Sequence, residues 1–497
     1  MKRKQKQHVQ NLDPQQFLQE SLQRFEPMLS TQEFGLLLEE VHKPLAPTFR
    51  VNPLKAAPDL VQRLQERYHW QLSSLPFCGS GYKVEDSAAT AVSQTAEHKL
   101  GHYYIQEAAS MVPVELFDFP AGDAGLTLDL AASPGGKTTH LIARGQDSGF
   151  VLANDSSAGR IPALRVVLQN WGAVNSAICQ FPGEKLGSWF TEVFDRALID
   201  APCSMQGLRT SESHGTRPVT EKESLSLAKR QTALLTSALQ AVKVGGQVVY
   251  STCTLLPEED EGVVDAVLRK FGKSVRIVNV AEKLPASAAG ITQNGDQQYL
   301  PDVAESLRLW PHRLGTAGFF ACLFEKTAPL ELPQQSAPAR PLERAGFVYT
   351  AHALEAKISQ QLLQDYGFDL AATLAQYDLV LMQRYEKIIA MPQKLLGSFG
   401  ELPLEYAGLL LGEASNNEFA LSHEWVSRFG SRFGSGKVYL TDEQAENWLK
   451  GEDCFDPVVG SEEKGKVFIV CRQDGLVLGR GKALKDRLKN LLLRRLA

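Results

Sequence analysis

The sequence predicts an α/β protein whose central domain is a doubly wound parallel sheet. From about residue 125, short apolar runs alternate with longer stretches in which apolar residues recur at three- and four-residue spacing. Two of the apolar runs stop at a polar residue and lead into a loop that carries one cysteine, Cys203 or Cys253. Strands that alternate with helices of this length are typical of a parallel sheet with helices on both faces.

The first hundred residues are predicted to form a helical module with a loop-rich end. Asp13, before Pro14, and the capping box Ser30–Glu33 each mark the start of a helix. Thr48–Asn52 reads as a strand, in which Arg50 is either a surface charge on an edge strand or a phosphate contact. A further helix is predicted from about Gln106.

Predicted strands and helices alternate along the central domain. The predicted strands are Leu126–Leu130, Phe150–Ala153, Ala197–Asp200 and Gln247–Ser251. The predicted helices are Lys137–Arg144, Ser156–Trp171, Glu221–Val242 and Glu258–Phe271.

A proline-rich linker and a separate C-terminal unit are predicted after the central domain. Residues 327–345 contain four prolines. Lys466–Cys471 and Leu476–Leu478 read as strands of a hairpin turned at Gln473–Gly475. The chain then becomes basic, which indicates either a solvated helix face or a phosphate contact. The basic residues are Arg480, Lys482, Lys485, Arg487, Lys489, Arg494 and Arg495.

Composition indicates a multidomain globular protein without a strongly charged surface. The chain has 497 residues, of which 43% are hydrophobic and 22% charged, and its formal net charge is -5. Any nucleic-acid-binding surface must therefore be a local patch. The basic start, Met1–His8, continues into polar residues, and no run is long enough to span a bilayer, so we expect no secretory signal and no membrane segment. Seven cysteines without CxxC spacing suit a reducing cytoplasm and predict neither a disulfide framework nor a metal site.

The two strand-end cysteines predict the chemistry. Ligands of an open parallel sheet bind beyond the carboxyl ends of its strands, so Cys203 and Cys253 should share one crevice. We interpret one as a nucleophile toward a pyrimidine ring and the other as its assistant, although either cysteine alone would read as a small buried residue. The site should lower the pKa of the attacking thiol, with Lys137 and the helix after Pro257 as candidates. Glu258, Glu259 and Glu261 suit the dipole at the start of that helix and read as structural.

A glycine turn and two carboxylates complete the predicted crevice. Gly135 and Gly136 permit close approach of a ligand, but Ala131 stands where a triphosphate-binding loop needs glycine, so a nucleoside cofactor fits better. Asp155 follows the second strand, where it could bind ribose hydroxyls or cap the helix from Ser156, or do both. Asp200 could accept a hydrogen bond from an exocyclic amine, which favours cytosine over uracil.

These motifs resemble those of the Sun-type RNA 5-methylcytosine methyltransferases over about residues 30 to 325. Asp129–Lys137, Asp200–Ser204 and Ser251–Glu261 match in order. Further matches are Thr48–Asn52, Tyr103–Met111, Lys229–Gln231, Leu309–His312 and Gly318–Phe320. The C-terminal unit, with Leu478–Lys482 and Leu488–Asn490, resembles the PUA-like domain of the subgroup that modifies small-subunit (16S) ribosomal RNA.

The resemblance implies a mechanism and a cofactor. Cys253 would attack carbon 6 of a cytosine, carbon 5 would take the methyl group of S-adenosylmethionine, and Cys203 would act in the release of Cys253. Asp200 would hold the base, and the target base must leave its stack to reach the crevice. The cofactor-binding set implied by the resemblance is Ala131, Ala132, Ser133, Pro134, Gly135, Gly136, Lys137, Asp155, Arg160 and Asp200.

Two positions depart from the family pattern. An acidic residue is usual after the third strand, where this chain has Gln180. A glycine is usual after Ser204, where this chain has Met205. The first departure questions a cofactor contact, and the second could reshape the base pocket without removing either cysteine.

The sequence therefore predicts a cytoplasmic, monomeric RNA methyltransferase of three parts. They are an RNA-binding module over residues 1–115, a methyltransferase domain over 116–328 that resembles the Rossmann fold, a linker over 329–345, and a PUA-like domain over 346–497. Ribosomal RNA is the expected substrate. The alternatives are the same chemistry on transfer RNA and an RNA-binding ribosome-assembly protein whose chemistry is vestigial. A nucleotide hydrolase is a third alternative, disfavoured by Ala131.

Overall fold

The computed structural model describes residues 22–120, 122–207, 219–415, 418–455 and 463–493. Asp13, the basic start, Arg494 and Arg495 lie outside the described residues. The helices are α1 Thr31–Glu40, α2 Leu60–Tyr68, α3 Ala96–Lys99, α4 Val112–Glu115, α5 Gly136–Arg144, α6 Ile161–Trp171, α7 Gly183–Trp189, α8 Glu221–Ala241, α9 Glu261–Phe271, α10 Pro311–Leu314, α11 His352–Tyr366, α12 Leu370–Gln376, α13 Gln393–Phe399, α14 His423–Phe429 and α15 Asp442–Leu449. Short 3₁₀ helices span Glu26–Met28, Val92–Gln94, Ala109–Met111, Ala281–Lys283, Pro301–Glu305, Leu342–Ala345 and Gly430–Arg432.

Within the described residues, the strands form five sheets. In chain order they are β1 Thr48–Val51, β2 Gln71–Leu75, β3 Cys78–Asp86, β4 Tyr103–Ile105, β5 Leu126–Asp129, β6 Phe150–Asn154, β7 Ser176–Cys179, β8 Phe194–Asp200, β9 Val242–Thr252, β10 Val275–Ile277, β11 Ala288–Ala289, β12 Gln293–Asn294, β13 Gln297–Gln298, β14 Leu307–Leu309, β15 Phe319–Lys326, β16 Val348–Tyr349, β17 Leu379–Arg384, β18 Lys387–Pro392, β19 Tyr406–Ala407, β20 Leu409–Ser415, β21 Glu418–Leu421, β22 Lys437–Leu440, β23 Val467–Arg472, β24 Val477–Ala483 and β25 Leu488–Asn490. The predicted central strands are all present, with ends that differ by a few residues.

The central sheet confirms the predicted doubly wound class. Its order is β11-β14-β15-β9-β8-β5-β6-β7-β19, with β10 beside β15. The strands β5 to β9 are parallel to one another, and β15 runs antiparallel beside β9. The chain moves from β5 to β6 on one side and returns to β8 on the other, so the order reverses at β5. A ligand crevice forms at such a switch point.

Buried side chains cover both faces of this sheet. Alternate strand residues face opposite sides, so Leu198 packs in one apolar cluster and its neighbour Ile199 in the other. The first cluster receives Leu141 of α5 and Leu164 of α6. The second receives Leu234 of α8 and residues of α7 and α9. This continuous burial explains why the strands read as uninterrupted apolar runs.

The N-terminal module contains a sheet as well as the predicted helices. The capping box at Ser30 is present, and α1 begins after it. The sheet order β2-β3-β1-β4 places β1 in the interior, so the prediction of an edge strand around Arg50 was wrong. β2 and β3 were not predicted because half-exposed residues give them no clean alternation. The helix expected from Gln106 begins later, with a 3₁₀ turn at Ala109 that leads into α4.

The buried side chain of Arg50 connects the N-terminal module to the central domain. Its side chain is fully buried and its guanidinium lies 4.7 Å from the centroid of the Trp171 ring. Nη2 donates to the carbonyl of Gly136 at 3.0 Å and to Oγ1 of Thr139 at 2.8 Å. Burial lowers the pKa of Arg50 to about 10, so Arg50 remains a cation at neutral pH. Neither the surface-charge reading nor the phosphate reading describes this residue.

The C-terminal region forms two sheets and returns to the central one. The five-stranded sheet β16-β17-β18-β20-β21 precedes the four-stranded sheet β22-β23-β24-β25. β19 pairs antiparallel with β7, which joins this region to the central sheet. The predicted hairpin is present as β23 and β24, and Gly475 has φ +88 in its turn. Within the described residues, the basic stretch from Arg480 lies on β24 and β25, so its interpretation as a helix face was wrong.

Among the described residues, no helix combines the length and the apolarity required to cross a membrane.

A buried ion pair holds the end of β9 against the antiparallel strands. Arg308 on β14 and Glu261 at the start of α9 are fully buried, with Nη2 2.6 Å from Oε2. Nη1 of Arg308 also donates to the carbonyl of Leu255 at 2.9 Å, just after the Cys253 loop. Desolvation makes a lone buried charge costly, so each partner depends on the other.

Arg308→Met should therefore destabilise the fold strongly. We expect the free energy of unfolding to fall by about 3–5 kcal/mol because Glu261 would be left buried without its cation. Urea denaturation would measure the change. The matched control is Arg276→Gln, whose exposed ion pair with Glu325 should contribute less than about 1 kcal/mol. Equal small effects of both substitutions would contradict this account.

Candidate active site

The pairing of β8 with β9 brings the two predicted cysteines together. In the parallel register, Asp200 lies opposite Ser251, and the amide of Ala201 donates to the Ser251 carbonyl at 2.8 Å. The chain leaves each strand within three residues and reaches a cysteine. Sγ of Cys203 lies 2.9 Å from Sγ of Cys253, and both side chains are partly exposed. Two thiols at this separation share a hydrogen bond.

Glu259 fixes the loop that carries Cys203. Its buried carboxylate accepts the amide of Ser204 at 3.0 Å and Nε2 of Gln231 at 3.0 Å. Gln231 also donates to the carbonyl of Pro202 at 3.0 Å. This network links the cysteine loop to α8 and to the segment before α9. The expectation that Glu259 is structural agrees with these contacts, although it caps a loop and not a helix.

The pKa of the Cys203 thiol is strongly raised. The hydrogen bond with Cys253 and, after it, burial raise the pKa of Cys203 well above its usual range. The amide of Met205 donates to the Cys203 sulfur and opposes this rise in pKa. Cys203 therefore keeps its proton at neutral pH. The lowered pKa expected of the attacking thiol is not found at Cys203.

Lys137 forms an ion pair with Asp200 and not with a thiol. Its Nζ lies 2.7 Å from Oδ2 of Asp200 and 3.2 Å from Oγ of Ser110, and 5.3 Å from the Phe319 ring centroid. Oδ1 of Asp200 accepts a hydrogen bond from Ser251 at 3.3 Å. Asp200 is held in a fixed orientation at the carboxyl end of β8, with its side chain 36% exposed. It is therefore positioned to accept a donor from a ligand in the crevice.

The loop from Ala131 to Lys137 crosses the switch point. Gly135 has φ +115, and a Cβ there would lie 3.0 Å from Leu164 and Val167, so the tight turn before α5 requires glycine. The Ser133–Pro134 peptide is cis. The loop delivers the N-terminus of α5 to the crevice, where its amide groups face a ligand.

The crevice also contains an acceptor without a partner. Oδ1 of Asp129, at the end of β5, is buried and has no hydrogen bond, while Oδ2 accepts Oγ1 of Thr138 at 2.6 Å. Burial raises the pKa of Asp129 to about 7. An unsatisfied buried oxygen beside a glycine turn suits a ligand that carries an amino group. The residues present therefore fit a cofactor of the S-adenosylmethionine type.

Asp155 lies at the end of β6, the strand next to β5. Its buried carboxylate accepts the amide of Ser157 at 2.8 Å, the amide of Ser133 at 3.3 Å and Nη2 of Arg160 at 3.0 Å. The helix that Asp155 was alternatively expected to cap begins five residues later than predicted, at Ile161. Asp155 thus caps a turn. Arg160, with its side chain 54% exposed, covers the carboxylate on the solvent side.

The two departures from the family pattern have different structural settings. Met205 has φ +58, so it adopts the left-handed conformation that favours glycine, and its side chain is 43% exposed. The backbone thus keeps the shape expected of a glycine despite the larger residue. Gln180 is half-buried at the end of β7. There the side-chain amide of Asn154 donates through Nδ2 to the carbonyls of Leu130 and Phe181, each at 3.0 Å.

A second buried cluster, Cys78, Glu115 and His140, has no recognisable signal in the sequence. Nε2 of His140 lies 2.9 Å from Oε1 of Glu115 and 3.9 Å from Sγ of Cys78. Arg144 pairs with Glu115 at 2.9 Å, and burial lowers the pKa of His140 to about 4. The neutral imidazole pairs with the Glu115 carboxylate through Nε2, while its Nδ1 is buried without a hydrogen-bond partner. These residues are far apart in sequence, so only the packing of the N-terminal module on α5 reveals them.

Comparisons with known families match three stretches of the chain. The N-terminal domain of 16S rRNA methyltransferase RsmF matches residues 14–108, 16S rRNA methyltransferase RsmB/F matches residues 120–325, and the methyltransferase RsmF PUA domain matches residues 435–496. The structure of a methyltransferase homolog from Pyrococcus horikoshii is similar to 62% of this chain and 99% of its own, with 29% identity and a TM-score of 0.52. That of NSun6 from the same organism, at 20% identity and a TM-score of 0.51, shares the fold over 62% of this chain and 97% of its own.

Curated relatives match nearly the whole chain. Ribosomal RNA small subunit methyltransferase F of Vibrio cholerae is 32% identical over 456 residues, which cover 91% of this chain and 92% of the relative. The same enzyme of Aeromonas hydrophila is 31% identical over 491 residues, with 97% of each chain covered. The order of the matched domains is the order predicted from the sequence. This chain belongs to the ribosomal RNA small subunit methyltransferase F family.

Proposed function

We propose that this chain methylates carbon 5 of a cytosine in small-subunit ribosomal RNA, with S-adenosylmethionine as the methyl donor and Cys253 as the covalent nucleophile. The observation that carries the proposal is the pair of thiols 2.9 Å apart beyond the carboxyl ends of β8 and β9, with the carboxylate of Asp200 at the end of β8. The names of the relatives favour ribosomal RNA over transfer RNA. Residues 1–115 and 346–497 would supply RNA-binding surfaces.

The raised pKa of Cys203 supports the assignment of the two roles. Cys203 holds its proton and lies within hydrogen-bond distance of Cys253, which leaves Cys253 as the attacking group. The new bond joins Sγ of Cys253 to carbon 6 of the base, and the electron pair of the C5–C6 double bond becomes available at carbon 5. Carbon 5 then forms its bond to the methyl group that S-adenosylmethionine supplies when bound.

Release of the product requires a base for the proton on carbon 5. The largest cause of the raised pKa of Cys203 is its hydrogen bond to Cys253, and this cause disappears once Cys253 is bonded to carbon. Cys203, which is partly exposed, can then lose its own proton to solvent water and, as a thiolate, take the proton from carbon 5. The C5–C6 double bond reforms, and the bond from Cys253 to carbon 6 breaks with its electrons returning to sulfur.

The carboxylates would hold the two ligands in the crevice. Asp200, oriented by Lys137, would accept the exocyclic amine of cytosine, a donor that uracil lacks. The residues 131–137 and the free oxygen of Asp129 would bind the cofactor, and Asp155 would bind its ribose after Arg160 moves aside. The absence of a glycine at the position of Ala131 argues against a nucleotide hydrolase.

Cys253→Ala should abolish transfer of label from S-adenosylmethionine to ribosomal RNA. Cys203→Ala should instead accumulate a covalent RNA–protein adduct, visible on a denaturing gel, because it can add to the base but not release it. Cys322→Ala removes a thiol outside the crevice and should retain activity. Label confined to a separate transfer-RNA fraction would refute the substrate. No label on any RNA from folded, cofactor-binding protein would favour the assembly-factor alternative.

Turnover of the wild-type protein should rise with pH from neutral to alkaline solution. Burial of Cys203 persists after Cys253 has bonded to carbon and keeps the pKa of Cys203 raised, so its thiolate is scarce at neutral pH and each pH unit below that pKa should change the release rate by about tenfold. Steady-state methylation over a pH series measures this. In Cys203→Ala, the rate of single-turnover adduct formation should not show the part of the pH dependence that ionisation of Cys203 causes. A wild-type rate that falls as pH increases would contradict the proposed base.

Asp155→Asn should weaken binding of S-adenosylhomocysteine by about tenfold or more, because a neutral amide accepts ribose hydroxyls less strongly than a carboxylate. Calorimetry would measure the affinity, with thermal stabilisation as a second readout. Asp195→Asn is the control because Asp195 lies near the opposite end of β8 and pairs with Lys243. ATP should stabilise neither protein. Stabilisation by ATP but not by S-adenosylhomocysteine would favour the hydrolase alternative.

A further inference from the structure

The five-stranded sheet carries an exposed group of aromatic and cationic side chains that the proposed chemistry does not use. We call this group the tip patch and define it as Phe347, Val348, Tyr349, Arg384, Tyr385 and Lys387. Tyr385 is 80% exposed, Tyr349 65% and Val348 54%. β16 pairs with β17, so the segment Phe347–Tyr349 lies beside the end of the hairpin β17–β18. Contiguous exposed apolar surface of this kind marks an interaction site.

The arrangement of the tip patch is rigid. The guanidinium of Arg384 lies 5.1 Å from the ring centroid of Phe347 and 5.9 Å from that of Tyr385. Nε2 of Gln383 donates to the carbonyl of Tyr385 at 2.8 Å, and the carbonyl of Glu386 accepts an amide from β20 at 2.7 Å. The two rings and the planar cation are therefore held in a fixed arrangement at the hairpin tip.

The fold alone does not explain Tyr385. Its φ is +54, which places a bulky aromatic residue in the left-handed conformation. Glycine or asparagine adopts this conformation at a hairpin turn with less strain. The ring packs against no buried neighbour, since four-fifths of its surface is exposed. A strained residue at an exposed position points to a binding role.

The charge around the rings favours an anionic partner. Arg344, Arg384 and Lys387 are exposed, and within the described ranges none of them has a carboxylate at ion-pair distance. Glu343 and Glu386 are sequence neighbours of these cations and Glu413 lies opposite Lys387 in the register of β18 and β20, but among the described residues none of these carboxylates forms an ion pair with them. Unpaired cations beside stacking surfaces suit a nucleic acid better than an apolar protein surface.

A cavity adjoins the patch on the side of the linker. It has a volume of about 510 Å³ and shares Tyr349 with the patch. Met382, Phe399 and the linker residues Pro338 and Pro341 form other parts of its wall. Its volume lies in the range of small-molecule sites, so a base displaced from a strand could enter it.

We propose that the tip patch binds a single-stranded segment of the RNA substrate by stacking its bases on Tyr385 and Tyr349, while Arg384 and Lys387 contact its phosphates. Single-stranded RNA offers unstacked bases, which aromatic rings and arginine planes bind without sequence preference. The inference rests on the proposed function, namely that this chain acts on RNA. It assigns a role to a sheet that lies between the family matches ending at residue 325 and beginning at residue 435.

The test compares ring-deletion variants in binding a labelled single-stranded oligoribonucleotide and a duplex of the same sequence. Tyr385→Asn removes the ring and suits the left-handed conformation, and Tyr349→Ala removes the second ring. Each should weaken single-strand binding by about tenfold and leave duplex binding unchanged. The control is Leu363→Ala, an equally exposed apolar side chain on α11. Ultraviolet crosslinking to the wild-type protein should map to the tip patch.

Lys387→Gln keeps the proposal testable if a ring variant folds poorly. It should reduce the slope of log affinity against log salt by about 0.7, the amount expected for one phosphate contact on a single strand. Unchanged single-strand affinity in Tyr385→Asn and Tyr349→Ala, with unchanged melting temperatures, would overturn the patch proposal and point to a protein partner. Methylation of RNA by these variants at the wild-type rate would then leave the proposed function intact. Failure of wild-type protein to bind any RNA would overturn both proposals.

Discussion

The parallel register of β8 and β9 is the constraint on which the site depends. It places Asp200 opposite Ser251, and from these positions each chain needs only two or three residues to reach its cysteine. Two residues fifty positions apart in sequence thereby come within 2.9 Å. A slip of the register by one residue would turn every side chain to the other face and separate the thiols. The loops that follow are fixed by Glu259 and Arg308, so the pair does not depend on strand ends alone.

Two hydrogen-bonded pairs of side chains, Cys203 with Cys253 and Lys137 with Asp200, determine the electrostatics of the crevice. Sγ of Cys203 lies 2.9 Å from Sγ of Cys253, and the raised pKa of Cys203 keeps the Cys203 thiol protonated. Lys137 and Asp200 form a second pair, which orients a carboxylate toward the ligand. Asp129 lies buried behind them, and its pKa is raised to about 7. Its Oδ1 atom is an acceptor without a hydrogen bond. Lys137 was expected to lie against a thiol, but it pairs with the carboxylate of Asp200.

The flanking regions are tied to the central domain by buried polar contacts. Arg50 joins the N-terminal module to α5, and β19 adds a strand to the central sheet from the C-terminal side. Arg472 of the C-terminal hairpin pairs with Glu97 of the N-terminal module at 2.6 Å, with both side chains buried. The modules therefore hold one another in place. An RNA bound to either flank would meet the crevice in a defined orientation.

The sequence by itself determined the class of the central domain, its strand order in the chain and the identity of the candidate chemical groups. Apolar runs such as Gln247–Ser251 and the glycine turn at Gly135 carry this information locally, because burial and backbone conformation dictate their residue types. The tertiary structure alone decided which groups meet. The burial of Arg50, the pairing of Lys137 with Asp200 and the left-handed backbone of Met205 depend on contacts between distant segments. Local periodicity records which face of an element is buried, but it does not record what lies against that face.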